Sequence, residues 1–171
     1  MNDYYTHRKF LEKELSKLDY SKPVKCLEFG TGDGSALLFN SFAKKNKNML
    51  VNSYDNDSLW VKKTAENYAM DNYVFSHVDN WDSILTEESF KDAYDLVFID
   101  QSPWEARIKT VDILLDKAKV IILHDYDYFN KNFCEDIYSV GEGSFFQKYS
   151  NKFHIVGEKE LMPPTLIMIK K

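Results

Sequence analysis

Cysteine is nearly absent: Cys26 and Cys134 are the only two. Two distant cysteines make neither a disulfide framework nor a CxxC metal or redox pair. Cys26 lies inside an apolar run, so a buried free thiol is expected. Long apolar runs are missing too. None approaches the roughly 20 residues that a membrane helix needs. The opening "MNDYYTHRKFLEKEL" has no apolar signal-peptide core, so a cytoplasmic protein away from membranes is expected. Basic blocks are scarce. The densest, "FAKKNK" at 42–47, reads as a helix end with solvated lysines, and the net charge is -5. Such a chain lacks the basic footprint of a nucleic-acid binder. Repeats, low-complexity stretches and Pro/Gly-rich linkers are also absent. The 171 residues read as one domain, with an N-terminal helical segment over 1–21 and a core over 22–171.

What is present is alternation. Strand-like apolar runs occur at 24–29, 49–54, 73–78, 94–99 and 119–123. Between them lie "SALLFNSFAKK", "SLWVKKTAENYAM", "WDSILTEESFKD" and "WEARIKTVDILLDKA", with apolar residues at three- and four-residue spacing. An amphipathic segment, "THRKFLEKELSKL", precedes the first strand. This order predicts an α/β fold, a doubly wound and mostly parallel sheet. "KFHIVGE" and "TLIMIKK" follow without room for a helix between them and predict a C-terminal antiparallel hairpin. Ligands of such sheets bind beyond the carboxyl ends of the strands. The loops after 29, 54, 78, 99 and 123 are therefore the ones to inspect.

The first loop reads "LEFGTGDGSALL". Glu28 closes the strand, and Gly30, Gly32 and Gly34 follow at alternate positions. A glycine turn before a helix N-terminus suits a nucleotide-like ligand. A dinucleotide fingerprint counted from Gly30 needs glycine or alanine at 35, where Ser35 stands, and no P-loop G-K-[ST] follows. A nicotinamide oxidoreductase is disfavoured on that ground. Asp55, with Asn56 beside it, stands 21 residues past Gly34, where an acidic group can accept from ribose hydroxyls. Asp57 is the better cap for the next helix. Asp79 and Asn80, in the third loop, either face a base or cap a helix.

The E-x-G-x-G-x-G loop, Asp55 and the final hairpin resemble the class I S-adenosylmethionine-dependent methyltransferases over residues 22–171. The resemblance implies a seven-stranded Rossmann-like sheet with S-adenosylmethionine as cofactor. It implies contacts from Glu28, Gly30, Gly32, Gly34, Asp55, Asn56, Asp79 and Asn80, with Trp81 or Trp60 against the adenine. Asp100, the turn "QSP", Arg107 and the strand ending in His124-Asp125 resemble the branch acting on sugars and small hydroxylated molecules. That implies catalytic roles for Asp100, His124 and Asp125, with His124 as base. It implies substrate contacts from Gln101, Arg107 and Tyr126, with Trp104 as a further candidate wall. Asp100 and Asp125 could instead hold a divalent cation such as Mg2+. Related cation-dependent enzymes carry an asparagine after the second aspartate; Tyr126 stands here. Asp127 reads as a cap. The segment 138–151 reads as a loop covering the acceptor or as a plain connection.

No sizeable insertion interrupts the chain, so the acceptor is small, or a second subunit or partner protein recognises it. The expected activity is O-methylation of a small molecule or sugar. Its rivals are a non-catalytic cofactor-binding subunit and another enzyme on this scaffold, for aminopropyl transfer or cofactor cleavage.

Overall fold

A computed structural model describes residues 5–126, 145–158, 161 and 163–171. In chain order the elements are α1 (Arg8–Leu15), β1 (Val24–Phe29), α2 (Asp33–Lys45), β2 (Met49–Asp55), α3 (Ser58–Tyr68), β3 (Tyr73–His77), α4 (Trp81–Ile84), β4 (Tyr94–Ile99), α5 (Trp104–Leu114), β5 (Ala118–His124), α6 (Phe145–Ser150), β6 (Phe153–Glu158) and β7 (Thr165–Lys170). The seven strands form one sheet in the order β3-β2-β1-β4-β5-β7-β6. The first five are parallel; β7 runs antiparallel to both β5 and β6. The expected Rossmann-like sheet with its terminal hairpin is what forms.

Side-chain alternation along the strands divides the core in two. Leu27, Phe29, Val97, Ile99, Ile121 and Leu123 face a cluster shared with Val111 and Leu114 of α5 and with Trp81. Cys26, Leu96, Phe98 and Ile122 face Leu11 and Leu15 of α1 and Ala36 and Phe39 of α2. Both faces of the central strands are covered, so these strands read as continuous apolar runs. Cys26 is a buried free thiol. No helix among the described residues is long and apolar enough to cross a membrane.

The register sets up the site. Phe29 pairs with Tyr54 and Ile99, and Ile99 pairs with Leu123. The loops starting at 30, 100 and 124 therefore leave the sheet side by side.

Two expectations need correction. The helix expected from Trp81 stops at Ile84. Beyond it the hydroxyl of Thr86 accepts from the Ser89 amide at 3.2 Å and bonds the Ser89 hydroxyl at 2.8 Å. Such local side-chain bonds compete with the helical ladder. The connection before the hairpin carries a short helix, α6; the rest of it, like Asp127 and Cys134, lies outside the described residues.

Candidate active site

The glycine loop is shaped by its neighbours. Gly30 has φ 83°, and a Cβ there would lie 2.5 Å from the backbone of Asp100 and Gln101. Only glycine meets both demands. Gly32 is extended, with φ -152°, and a Cβ on it would meet nothing within 4 Å. Among the described residues that space lies open over the first turn of α2, and no side chain caps its amides. At Gly34 a Cβ would lie 2.5 Å from the Tyr5 ring and 3.2 Å from His7 Nε2. The N-terminal segment thus rests directly on the loop. Thr6 anchors it by donating to the Pro163 carbonyl at 2.5 Å.

Behind this loop, Glu28 is fully buried, and its Oε2 accepts from Ser53 at 2.5 Å and Tyr73 at 2.6 Å. Burial pushes its pKa up to about 7, against the pull of hydroxyls from Ser35, Ser53 and Tyr73. Asp55 accepts from the Thr31 amide at 2.8 Å and the Asp57 amide at 2.8 Å. It thereby ties the end of β2 to the glycine loop, with Asn56 exposed beside it. Burial raises its pKa, while the Asp57 and Thr31 amides lower it. Asp57 caps α3, accepting from Leu59 and Trp60 amides. Asp79 is almost fully exposed next to His77, and Asn80 caps α4 through the Asp82 amide at 2.9 Å. Trp81 packs into the core and donates to the Ser102 carbonyl at 2.6 Å. Trp60 stands at the cavity wall and donates to the Thr31 carbonyl.

A cavity of about 640 Å3 lies over the carboxyl ends of β1, β4 and β5. Gly32, Gly34 and Trp60 line one side; Asp100, Trp104, Arg107, His124 and Asp125 line the other; Tyr5 and His7 complete it. Continuing the alternation past Phe98 and Ile122 turns Asp100 and His124 toward the α1 face. There His7 lies edge-on to the His124 ring, with centroids 4.5 Å apart.

Arg107 clasps the two strand ends. Its Nε donates to the Gln101 carbonyl at 2.6 Å, Nη1 to the His124 carbonyl, and Nη2 to the Asp100 carbonyl at 3.0 Å. Nη2 also lies 3.1 Å from Asp100 Oδ1, and Nη1 lies 3.9 Å from Asp125 Oδ2. The Trp104 ring covers the guanidinium at 3.8 Å. Arg107 was expected to anchor a substrate; its donors are instead engaged within the protein. Two further acceptor contacts are also corrected. Gln101 is fully buried and donates to the Thr110 hydroxyl at 3.0 Å, and Tyr126 packs into the core. Trp104 does line the cavity.

The expected Mg2+ position between Asp100 and Asp125 does not fit. The Arg107 guanidinium occupies the place between the two carboxylates, 3.1 Å from Asp100 Oδ1 and 3.9 Å from Asp125 Oδ2, so an ion bridging them there would have to displace it. Asp125 adopts φ 51°, a left-handed conformation that Asp tolerates better than most residues. Strain of this kind clusters at functional sites.

Electrostatics distinguish the three remaining groups. Asp100 keeps 26% exposure toward the cavity but is otherwise enclosed. Burial pushes its pKa up to about 8; Arg107 pulls it back and Asp125 adds to the rise. Burial, then His7 and Arg107, lower His124 to about 2. Burial, then Arg8, lower His7 to about 4. Both imidazoles are held neutral, and His124 is a weaker base than its expected role requires. His7 was missed from sequence. It heads the stripe His7, Leu11, Leu15 that α1 turns to the sheet, and that spacing was the available signal. Among the described residues both its ring nitrogens are buried without a hydrogen-bond partner, a state that costs roughly 1–3 kcal/mol.

No family model and no curated protein matches this sequence. Solved structures do match. Human methyltransferase-like protein 13, solved with S-adenosylhomocysteine, superposes with a TM-score of 0.68 at 14% identity, over 96% of this chain and 81% of that one. An O-methyltransferase from Bacillus cereus, also with S-adenosylhomocysteine, gives 0.62 at 15% identity, over 96% and 81%. An rRNA methylase from Streptococcus thermophilus gives 0.59 at 14%, over 100% and 97%. The strand order, the terminal hairpin and these superpositions together show that the chain has the fold of the class I S-adenosylmethionine-dependent methyltransferases.

Proposed function

We propose that the protein is an S-adenosylmethionine-dependent methyltransferase acting on an oxygen of a small molecule or sugar. One observation carries this reading. A single cavity joins the glycine cradle on one side to Asp100 and His124 on the other. The residues fit the cofactor, since the open space above Gly32 is where a ligand would replace a missing side chain. The Gly30–Gly34 loop and the first turn of α2 would hold it, with the Asp55 carboxylate toward its ribose and Trp60 at the wall. When bound, it supplies a methyl group already activated by the sulfonium.

The protein's task is then alignment. The acceptor hydroxyl would donate its single proton to the ionised form of Asp100, a minor fraction at neutral pH given a pKa of about 8. That carboxylate takes the proton as the methyl group is transferred, with the neutral His124 ring beside it. Together Asp100 and His124 orient the hydroxyl's lone pair toward the cradle and exclude competing water. Arg107 keeps both groups in register by gripping the carbonyls of residues 100 and 124. A volume of about 640 Å3 lies within the range of small-molecule sites, and an acidic chain does not attract a polyanion. The acceptor is accordingly proposed as small.

Calorimetric titration of the intact protein with S-adenosylhomocysteine and with NAD tests the cofactor. Tight binding of the first and none of the second is expected; equal affinities would sink the reading. Asp100→Asn should retain S-adenosylhomocysteine binding and lose methyl transfer, which separates an enzyme from a binding subunit.

A further inference from the structure

We propose that His7, Asp100 and His124 form a site for a divalent transition-metal ion of the zinc or iron(II) type. It stands on its own geometry, independently of the methyl donor. One ligand atom from each of the three residues lies within 4.8 Å of the other two. Ligands bound at ~2.1 Å stand ~3.0–3.5 Å apart, so an ion would draw the three together slightly. They come from three elements, the start of α1 and the ends of β4 and β5, which converge only in the fold.

The unsatisfied His7 ring is the second observation. It is 4% exposed, stands against His124 and Phe98, and among the described residues has no hydrogen-bond partner at either nitrogen. A histidine serving only as packing would be replaced at lower cost by an apolar ring. A metal ligand needs an imidazole nitrogen with an open lone pair, and among the described residues neither His7 nitrogen is engaged.

Donor chemistry selects the ion. Two imidazoles and one carboxylate are the set used for zinc and for non-haem iron, whereas magnesium prefers oxygens alone. Supporting contacts are in place. His124 Nδ1 lies 3.2 Å from Thr165 Oγ1, so a proton held there leaves the lone pair on Nε2. Asp125 Oδ1 lies 3.4 Å from that Nε2 and adds negative charge beside the ion. Arg107 opposes an incoming cation, and the carboxylates of Asp100 and Asp125 on either side of it offset that charge. The three residues line the cavity, so an ion there faces open coordination positions. If the preceding reading holds, an acceptor oxygen would take one of them and lose its proton more readily.

The test uses untagged full-length protein stripped by chelator. Zinc and magnesium are titrated separately by calorimetry, and cobalt is followed by visible absorption. One equivalent of zinc is expected to bind at least ~100-fold more tightly than magnesium, and cobalt to give d–d bands. His7→Ala and the volume-filling His7→Phe should each lose at least ~100-fold in zinc affinity while keeping a cooperative melt. Zinc binding no tighter than magnesium, a cobalt spectrum matching the free ion, or wild-type affinity in either variant overturns the proposal. The wild-type titration and cobalt spectrum decide it even if both variants misfold. S-adenosylhomocysteine affinity is read in parallel, so failure of the metal site and failure of the methyltransferase reading are told apart.

Discussion

At the scale of single residues, two glycines two positions apart do different work. Gly30 combines a left-handed φ with backbone 2.5 Å from its missing Cβ, whereas Gly32 is extended and open. Gly30→Ala should therefore cost at least ~3 kcal/mol of stability, through strain and clash together. Gly32→Ala should stay within ~0.5 kcal/mol of wild type in stability. It should nonetheless weaken S-adenosylhomocysteine by ~10-fold or more, because the new methyl fills the cradle. Thermal melts and calorimetry on the two variants check the contrast. Glu28 supplies a pH dependence. Its folded pKa, about 7, lies above the ordinary 4.5, so the folded state binds the extra proton between those values. Its contribution to stability is complete below about pH 4.5 and is lost as pH rises through about 7. The melting temperature of wild type relative to Glu28→Gln should fall across that window; a flat difference would show that Glu28 does not titrate there.

At the scale of elements, Arg107 decides how β4 and β5 end. It bonds the carbonyls of residues 100, 101 and 124 and lies between the Asp100 and Asp125 carboxylates. Removing one partner of a buried charge set leaves the others uncompensated. Arg107→Met should cost about 3–5 kcal/mol in denaturant unfolding and change the fluorescence of Trp104, which loses its stacked cation. Strands β1 and β4 have the bounds that apolar patterning predicts, because strands buried on both faces leave an unbroken apolar signal. Helix α4 was less legible. Its apolar spacing continues past Ile84, but the Thr86–Ser89 bonds divert the backbone, and a periodic pattern does not reveal that competition.

At the scale of the whole molecule, the cavity is built from the N-terminal segment, the glycine loop, the ends of β4 and β5, and Pro163 between β6 and β7. A ligand bound there bridges elements from both ends of the chain and stabilises the folded state by mass action. S-adenosylhomocysteine at ~100 times its Kd should add ~2.7 kcal/mol. For a chain of this size that raises the melting temperature by ~5–10 °C, and NAD should leave it unchanged in the same scan.

Sequence alone was enough for the α/β class, the sheet with its closing hairpin, the glycine turn and the cap at Asp57. Each of these is written in local patterning, whether strand alternation, helical spacing, turn residues or a carboxylate beside a helix start. The partners of Arg107, Gln101 and Tyr126 were not legible. Whether such a side chain faces a cavity or the interior depends on elements that pack beside it from elsewhere in the chain. His7 is the clearest case. Its spacing with Leu11 and Leu15 marks it only as facing the sheet, and more than ninety positions separate it from Asp100. Only the packing of α1 on the sheet carries it to the strand ends, where burial keeps its ring neutral beside His124. The local sequence wrote the scaffold; the long-range packing chose which polar groups meet within it.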